Sequence, residues 1–278
     1  MPVDVVGNDL NVKDLIVTPK DRGGWYFDAE SDLDQDFWKF YKEDFKSITS
    51  FPNSYQLKVF WALHTINPEI KEEIKFSPEA LQEVRRQVEG WVDYQPKDDE
   101  DKKRIARSVV VYAGRLKLLN PQEKPLPKDE IIKVKQVIDN DELLNIRSLE
   151  RLALLRLLAE DNQELWPDIL KQEDRPQIVR DLIERSSTDD LFENAMWGRI
   201  LLGDDFDMTF ITPRRLERWR LKMEKLEPSD YKKLHNAIAL KVLTAESVKI
   251  GKNGIEIVMP TKKDDVPQEK PLPERRKY

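Results

Sequence analysis

Cysteine is absent from this 278-residue chain. Its absence excludes disulfide-stapled scaffolds, thiolate nucleophiles, iron–sulfur clusters and cysteine-based zinc sites. Glycine is scarce, with nine residues, and none of them belongs to a Walker loop, a dinucleotide-binding fingerprint or a Gly-x-Ser-x-Gly nucleophile elbow. The sequence therefore predicts no cofactor, and we expect a protein that is not an enzyme.

Histidine occurs only twice, at His64 and His235. Each lies within an apolar helical pattern, and neither has the His-x-x-x-His or Glu-x-x-His spacing of a metal or catalytic site. We interpret both as residues of the core or of its boundary, and we expect no metal site.

Long hydrophobic runs are also missing. The most apolar stretch, 152–159, is interrupted by Arg156, and no segment reaches the length of a membrane span. Asp4 and Asp9 lie where a signal peptide has a cationic start and an apolar run. We expect a soluble protein of the cytoplasm, or of the nucleus and cytoplasm, that is neither secreted nor membrane-spanning.

Charged residues make up 36% of the chain and hydrophobic residues 39%, a balance that suits amphipathic helices with wide solvated faces. Apolar residues recur at helical spacing, and capping signals such as Ser77-Pro78 and Thr212-Pro213 begin several of these patterns. The predicted helices cover 33–48, 54–65, 78–91, 105–119, 128–139 and 148–161, and others begin near Pro167, Pro176, Asp189, Pro213 and Tyr231.

The apolar period changes from helical to alternating after the last predicted helix. The dipeptide Asn253-Gly254 is the strongest short hairpin signal in the chain. It is flanked by the alternating apolar residues Val248, Ile250, Ile255, Ile257 and Met259.

The heptapeptide Pro-Gln-Glu-Lys-Pro-Leu-Pro occurs twice, at 121–127 and 267–273. The flanking segments share no similarity, so the repeat is confined to the peptide. Both copies lie where ordered patterns stop, and we interpret them as semi-rigid spacers. The copy in the tail is accessible, which also makes it a candidate partner-docking ligand through Pro267, Pro271, Leu272 and Pro273.

These patterns predict a mainly α protein, a multi-helix bundle in two lobes with a C-terminal β-hairpin and a flexible proline-containing tail. The predicted divisions are an irregular N-terminal segment (1–30), an N-terminal helical lobe (31–120), a proline-rich linker (121–128), a C-terminal helical lobe (129–246), the hairpin (247–259) and the tail (260–278).

Basic residues share one side of the helix predicted after Thr212. At 100° per residue they fall within a sector of about 100°, beside the apolar sector that faces the core. They are Arg214, Arg215, Arg218, Lys222 and Lys225. In a protein with a net charge of −6, this cluster indicates an anion or nucleic-acid site, since clustered Arg and Lys bind phosphate backbones. The alternative is that the face pairs with acidic segments of the same chain, such as 139–142 or 189–190.

The basic helix is followed by a helix that carries Lys232, Lys233, Asn236 and Lys241, and then by the hairpin. This order resembles that of winged-helix DNA-binding modules. The resemblance covers residues 210–260, rests on element order, and implies nucleic-acid binding.

Three functional hypotheses follow. The leading one is a non-catalytic interaction or assembly protein that acts through protein partners or self-association, because helices and extended proline segments accompany no catalytic constellation. The alternative is a nucleic-acid-binding protein that uses the basic helix at 213–226, within an assembly of viral or plasmid type. The third is a metal-dependent enzyme that uses Asp205 and Asp207, since paired carboxylates can hold a hard cation. The competing interpretation of that pair is a solvated loop.

Overall fold

The computed structural model describes residues 54–68, 76–140, 148–186, 190–209, 211–223, 225–226 and 231–259. These residues form nine α-helices, three short 3-10 helices and a two-stranded antiparallel sheet, so the prediction of a mainly α protein with a C-terminal hairpin is confirmed. The predicted segment 1–30, the helix at 33–48 and the tail at 260–278, with its docking candidates Pro267, Pro271, Leu272 and Pro273, lie outside the described residues.

Most α-helices begin and end close to the predicted bounds, but the helix predicted at 105–119 begins six residues earlier, at Asp99. They are α1 (Ser54–Ile66), α2 (Pro78–Val92), α3 (Asp99–Leu119), α4 (Lys128–Asp139), α5 (Ser148–Leu158), α6 (Arg175–Glu184), α7 (Leu191–Leu202), α8 (Pro213–Met223) and α9 (Tyr231–Thr244). The 3-10 helices are Gln163–Leu165, Asp168–Lys171 and Gly203–Asp205. No helix within the described ranges is long and apolar enough to cross a membrane.

Side-chain caps account for two of the helix starts. The Ser77 hydroxyl accepts a hydrogen bond from the Ala80 amide at 3.1 Å, and the Thr212 hydroxyl accepts one from the Arg215 amide at 3.3 Å. Each cap satisfies an amide of the first turn that has no partner within the helix. The N-terminal signals predicted for α2 and α8 are confirmed.

The prediction of a helix near Pro167 is wrong, because the chain makes only the 3-10 turn Asp168–Lys171 there. Pro176 lies in the first turn of α6 and has no amide hydrogen to continue a helix from the preceding residues. Two prolines so close together therefore leave space for one short turn between them.

The hairpin consists of β1 (Ser247–Gly251) and β2 (Gly254–Val258). Gly251 pairs with Gly254, so the connecting loop is Lys252-Asn253, one residue earlier than the predicted Asn253-Gly254 turn. Gly254 opens β2 with a φ of 91°, a backbone conformation that favours glycine. The pairing places Val248, which is fully buried, opposite Ile257, and thus keeps the apolar face of the hairpin on the core.

Five helices form a closed ring. α1 contacts α3, α3 contacts α5, α5 contacts α7, α7 contacts α9, and α9 contacts α1. The even-numbered helices pack outside this ring: α2 and α4 lie on α3, α6 on α7, and α8 on α9. The leucines of α5 are all buried, as expected for a helix that is apolar on most of its sides and lies between two others of the ring.

The first copy of the heptapeptide is held against the helices on its N-terminal side. Glu123 accepts two hydrogen bonds from Arg85 of α2, at 2.9 and 2.8 Å. Lys117 of α3 donates to the Pro121 and Glu123 carbonyls at 3.3 and 3.1 Å, and Leu126 is buried. One hydrophobic cluster includes buried residues from both sides of this segment.

Candidate functional site

An ionic cluster occupies the interior of the five-helix ring, and each ring helix contributes one member. The members, in the order α1, α3, α5, α7 and α9, are Lys58, Arg115, Glu150, Glu193 and His235. Burying charges is costly unless they compensate one another, so these five positions constrain how the helices pack.

The cluster is built around two carboxylates. Arg115 places its Nε 3.0 Å and its Nη2 2.6 Å from one oxygen of Glu150. Lys58 donates a hydrogen bond to Glu193, and its ammonium group also lies 3.8 Å from Glu150. The side chain of Glu193 is 33% exposed, so the cluster reaches solvent at α7.

The electrostatic environment keeps the two acids ionised and the histidine neutral at neutral pH. Burial acts to raise the pKa of Glu150, but the positive charges of Lys58 and Arg115 outweigh it and lower that pKa. The pKa of Glu193 is lowered in the same way, against burial, by Lys58 and His235. Burial, followed by repulsion from Lys58, lowers the pKa of His235 to about 4. At neutral pH the cluster therefore holds two cations, two carboxylates and a neutral imidazole, with no net charge.

Sequence analysis identified one member of this cluster. The interpretation of His235 as a core or boundary histidine agrees with its burial, and His64 packs its ring edge-to-face against Phe60 at 5.9 Å. The other four members were missed because they are widely separated along the chain. A charged side chain within an apolar helical pattern is the only signal in the sequence, and most ring helices carry more than one such residue.

Buried cations also join the ring helices at their C-terminal ends, where carbonyl groups lack partners within the helix. The Lys241 ammonium lies 2.6 Å from the Thr65 carbonyl at the end of α1. Arg199 donates to Leu243 and Ala245, at the end of α9, at 2.5 Å each.

Arg156 of α5 repeats this arrangement by donating to the Leu201 carbonyl near the end of α7. Together the three cations link α5 to α7, α7 to α9, and α9 to α1. Burial lowers the pKa of Arg199 to about 10, which still leaves the guanidinium charged at neutral pH.

The acidic pair Asp205 and Asp207 is ion-paired with α6. Asp205 lies 2.6 Å from the Arg175 guanidinium, and Asp207 lies 2.7 Å from that of Arg180. The second oxygen of Asp207 accepts hydrogen bonds from the amide and hydroxyl of Thr209, at 2.9 and 2.6 Å. Among the described residues no group of three His, Asp or Glu side chains could hold a metal ion. The geometry of this pair is that of an ionic link between a loop and a helix.

Four of the five predicted basic-face residues are described with their side chains, and all four are exposed: Arg214, Arg215, Arg218 and Lys225. The side chain of Lys222 lies outside the described residues. On the opposite side of α8, Trp219 is buried and stacks on Phe192 of α7 with ring centroids 3.4 Å apart. This aromatic contact orients the helix so that its basic side faces away from the core.

The helix that follows in the winged-helix order has a different role. α9 is a member of the central ring, and Lys233 is buried while Lys241 binds the carbonyls of α1. The element order expected from the sequence is present along the chain, but α9 is too buried to enter a groove of DNA. Only α8 offers basic side chains in the arrangement that the sequence predicted.

An open cleft of about 780 Å³ lies between α2 and α4, over the N-terminal half of α3. Its floor is apolar and includes buried residues such as Ile105, Val109 and Val134. At one end, the rings of Trp91 and Tyr94 lie 6.5 Å apart, and Tyr94 is 37% exposed. Sequence analysis missed this cleft, because its lining comes from three helices whose apolar patterns indicate only that each has a buried face.

No family model matches this chain, and comparison with curated proteins and solved structures also finds no match.

Proposed function

We propose that this chain is a non-catalytic assembly protein whose copies associate through the cleft between α2 and α4. The observation that carries the proposal is the cleft, with about 780 Å³ of open space above an apolar floor. A groove between helices suits an amphipathic segment that inserts apolar side chains spaced as on one helix face.

The proposed occupant is segment 28–45 of a second copy. This segment contains aromatic residues at the spacing that helix-in-groove recognition uses, namely Phe37, Phe40, Tyr41 and Phe45, together with Trp38. Large aromatic side chains gain most from leaving water, and the cleft provides apolar area for them. The apolar floor of the cleft and the aromatic residues of the segment are thus complementary.

The charges at the cleft favour an acidic occupant. Its lining includes Lys102, Lys103 and Lys133 against Asp99 and Glu130, a small excess of positive charge. Segment 28–45 carries seven acidic residues and two lysines, a net charge of −5. Opposite charges at the rim orient the partner and speed its association, while the apolar floor supplies most of the affinity.

The absence of cysteine makes the chain a clean background for disulfide trapping. Two single-cysteine variants, Lys39→Cys in the segment and Gln136→Cys on the exposed rim, are mixed and oxidised gently. We expect a disulfide-linked heterodimer on a non-reducing gel, because docking brings these side chains of different copies together. The reversal Lys102→Glu should reduce self-association in light scattering.

The matched controls use Lys249, an exposed residue of the hairpin. Lys249→Cys in place of Gln136→Cys should give no heterodimer, and Lys249→Glu should leave self-association unchanged. Equal trapping at both positions, or none, contradicts the proposal. It is also contradicted if a Lys39→Cys/Gln136→Cys double variant crosslinks only within single chains.

A further inference from the structure

We propose that the exposed face of α8 binds the phosphate backbone of single-stranded nucleic acid. This site lies apart from the cleft and goes beyond the assembly function, which does not depend on it.

The burial of Trp219 determines which side of α8 faces solvent. The stacking on Phe192 holds this side of the helix on α7. Positions 214, 218 and 221 follow one another at helical spacing and lie within a sector of about 60° at 100° per residue, and Lys225 follows in the turn after the end of α8. We call these four residues, Arg214, Arg218, Leu221 and Lys225, the α8 stripe, and all four are exposed.

The cations of the α8 stripe differ from most cations of the other outer helices. Most described arginines and lysines on the outer helices are paired, as Arg86 is with Glu83 and Arg175 with Asp205. Among the described residues, Arg214 forms no ion pair. The same holds for Arg218 and Lys225, and α8 has no acidic residue in its first turn. Unpaired cations held on one face favour an anionic partner.

Asp139, one of the acidic residues considered as an internal partner of the basic face, is engaged elsewhere. One oxygen of Asp139 pairs with Lys135, and the other accepts a hydrogen bond from the Asp168 amide at 3.1 Å. These contacts lie on α4 and on the turn after α5. Asp139 is therefore not available to neutralise the basic face.

The length of the stripe indicates a linear polyanion. Arg214 and Leu221 are seven positions apart, which corresponds to about 10 Å along a helix that rises 1.5 Å per residue, and Lys225 lies beyond the end of this helix. One phosphate group covers only a fraction of this distance. A chain of phosphates can contact the three cations in succession, and each contact releases condensed counterions.

Leu221 favours a single strand over a duplex. It lies within the stripe and is 44% exposed. In a single strand the bases are unstacked beside the backbone and offer apolar faces to such a side chain, whereas in a duplex they are stacked inside. A winged-helix mode of duplex binding would also require an exposed α9, and that helix belongs to the central ring.

The test measures fluorescence anisotropy of a labelled 20-nucleotide oligothymidylate with the full-length protein. We expect binding at 50 mM salt and a loss of affinity of about 20-fold at 200 mM salt, since three phosphate contacts on a single strand give a slope near −2. The double variant Arg214→Glu/Arg218→Glu should abolish binding, and Leu221→Ser should weaken it.

The control variant Lys249→Glu/Lys252→Glu makes the same charge change on the exposed hairpin and should retain binding. Far-UV circular dichroism establishes that each variant is folded. No binding at 50 mM salt overturns the proposal, as does tighter binding of a 20-base-pair duplex or an equal loss in the hairpin variant. Binding of heparin or of anionic vesicles without binding of the oligonucleotide also overturns it.

Discussion

His235 lies among two cations and two carboxylates, and its ring is kept neutral by burial and by the charge of Lys58. Its pKa of about 4 is below the ordinary value of 6.5, so the folded state resists protonation. The unfolded chain then binds more protons than the folded chain between these two pH values. The free energy of unfolding must fall as the pH falls through this window.

Replacing the imidazole should remove this dependence. Wild-type protein should lose on the order of 1–2 kcal/mol of stability between pH 6.5 and pH 5, because a one-unit difference in pKa corresponds to about 1.4 kcal/mol. The free energy of unfolding of His235→Gln should change less over the same pH interval. Urea denaturation at pH 6.5, 5.75 and 5 measures both slopes.

His64→Gln is the matched control, since it removes the only other histidine, and its slope is compared with that of His235→Gln. Glu150 and Glu193 do not confuse the measurement. Because their pKa values are lowered, their contribution to stability is fully present at pH 5 and above and is lost only as the pH falls below the ordinary glutamate range. If the wild-type and His235→Gln slopes coincide, the pKa of His235 is not lowered.

At the scale of elements, the closest approach between α3 and α5 is made at Gly114. A Cβ atom placed there would lie 2.7 Å from the Cβ of Leu154, an atom bonded to the backbone that no rotamer can move away. Gly114→Ala should therefore push two ring helices apart. We expect a loss of about 1–3 kcal/mol, the range for overpacking of a core, from the urea midpoint at unchanged slope.

Gly90 provides the opposite case in the outer helix α2. It is exposed, and a Cβ there meets no atom within 4 Å. Gly90→Ala should stabilise the protein by up to about 1 kcal/mol, because alanine loses less backbone entropy in a helix. Equal effects at the two glycines would contradict the close packing of α3 on α5.

Several elements could be predicted because their signals are local. α4 covers residues 128–139, as predicted, since its apolar period and its boundary at Pro127 lie within a dozen residues. The hairpin was found from its alternating pattern, but its register was off by one residue. The exact pairing depends on which face Val248 presents to the core, and that is decided by packing rather than by the turn dipeptide.

At the scale of the whole molecule, one buried hydrophobic cluster includes residues from both sides of the first heptapeptide, the segment predicted to divide the two lobes. Helices that pack on one hydrophobic core should unfold in a single cooperative transition. We expect far-UV circular dichroism and tryptophan fluorescence to report one coincident transition in urea, with the full-length chain. Two separated transitions would instead support the predicted division into independent lobes at 121–128.

The sequence by itself determined the helical class, most helix bounds, the hairpin, and the absence of thiol chemistry. Each of these depends on residue type or on periodicity within one segment. It also placed the basic residues of α8 on one side of a helix, because helical geometry alone decides that.

Only the tertiary structure decided what surrounds those faces. It closed five helices into a ring, brought Lys58, Glu150 and His235 into one ionic cluster, and opened the cleft over α3. It also buried α9 while leaving the α8 stripe exposed. These features join residues far apart in the chain, and their positions are selected by the compensation of buried charge and the exclusion of water, which no single segment can specify.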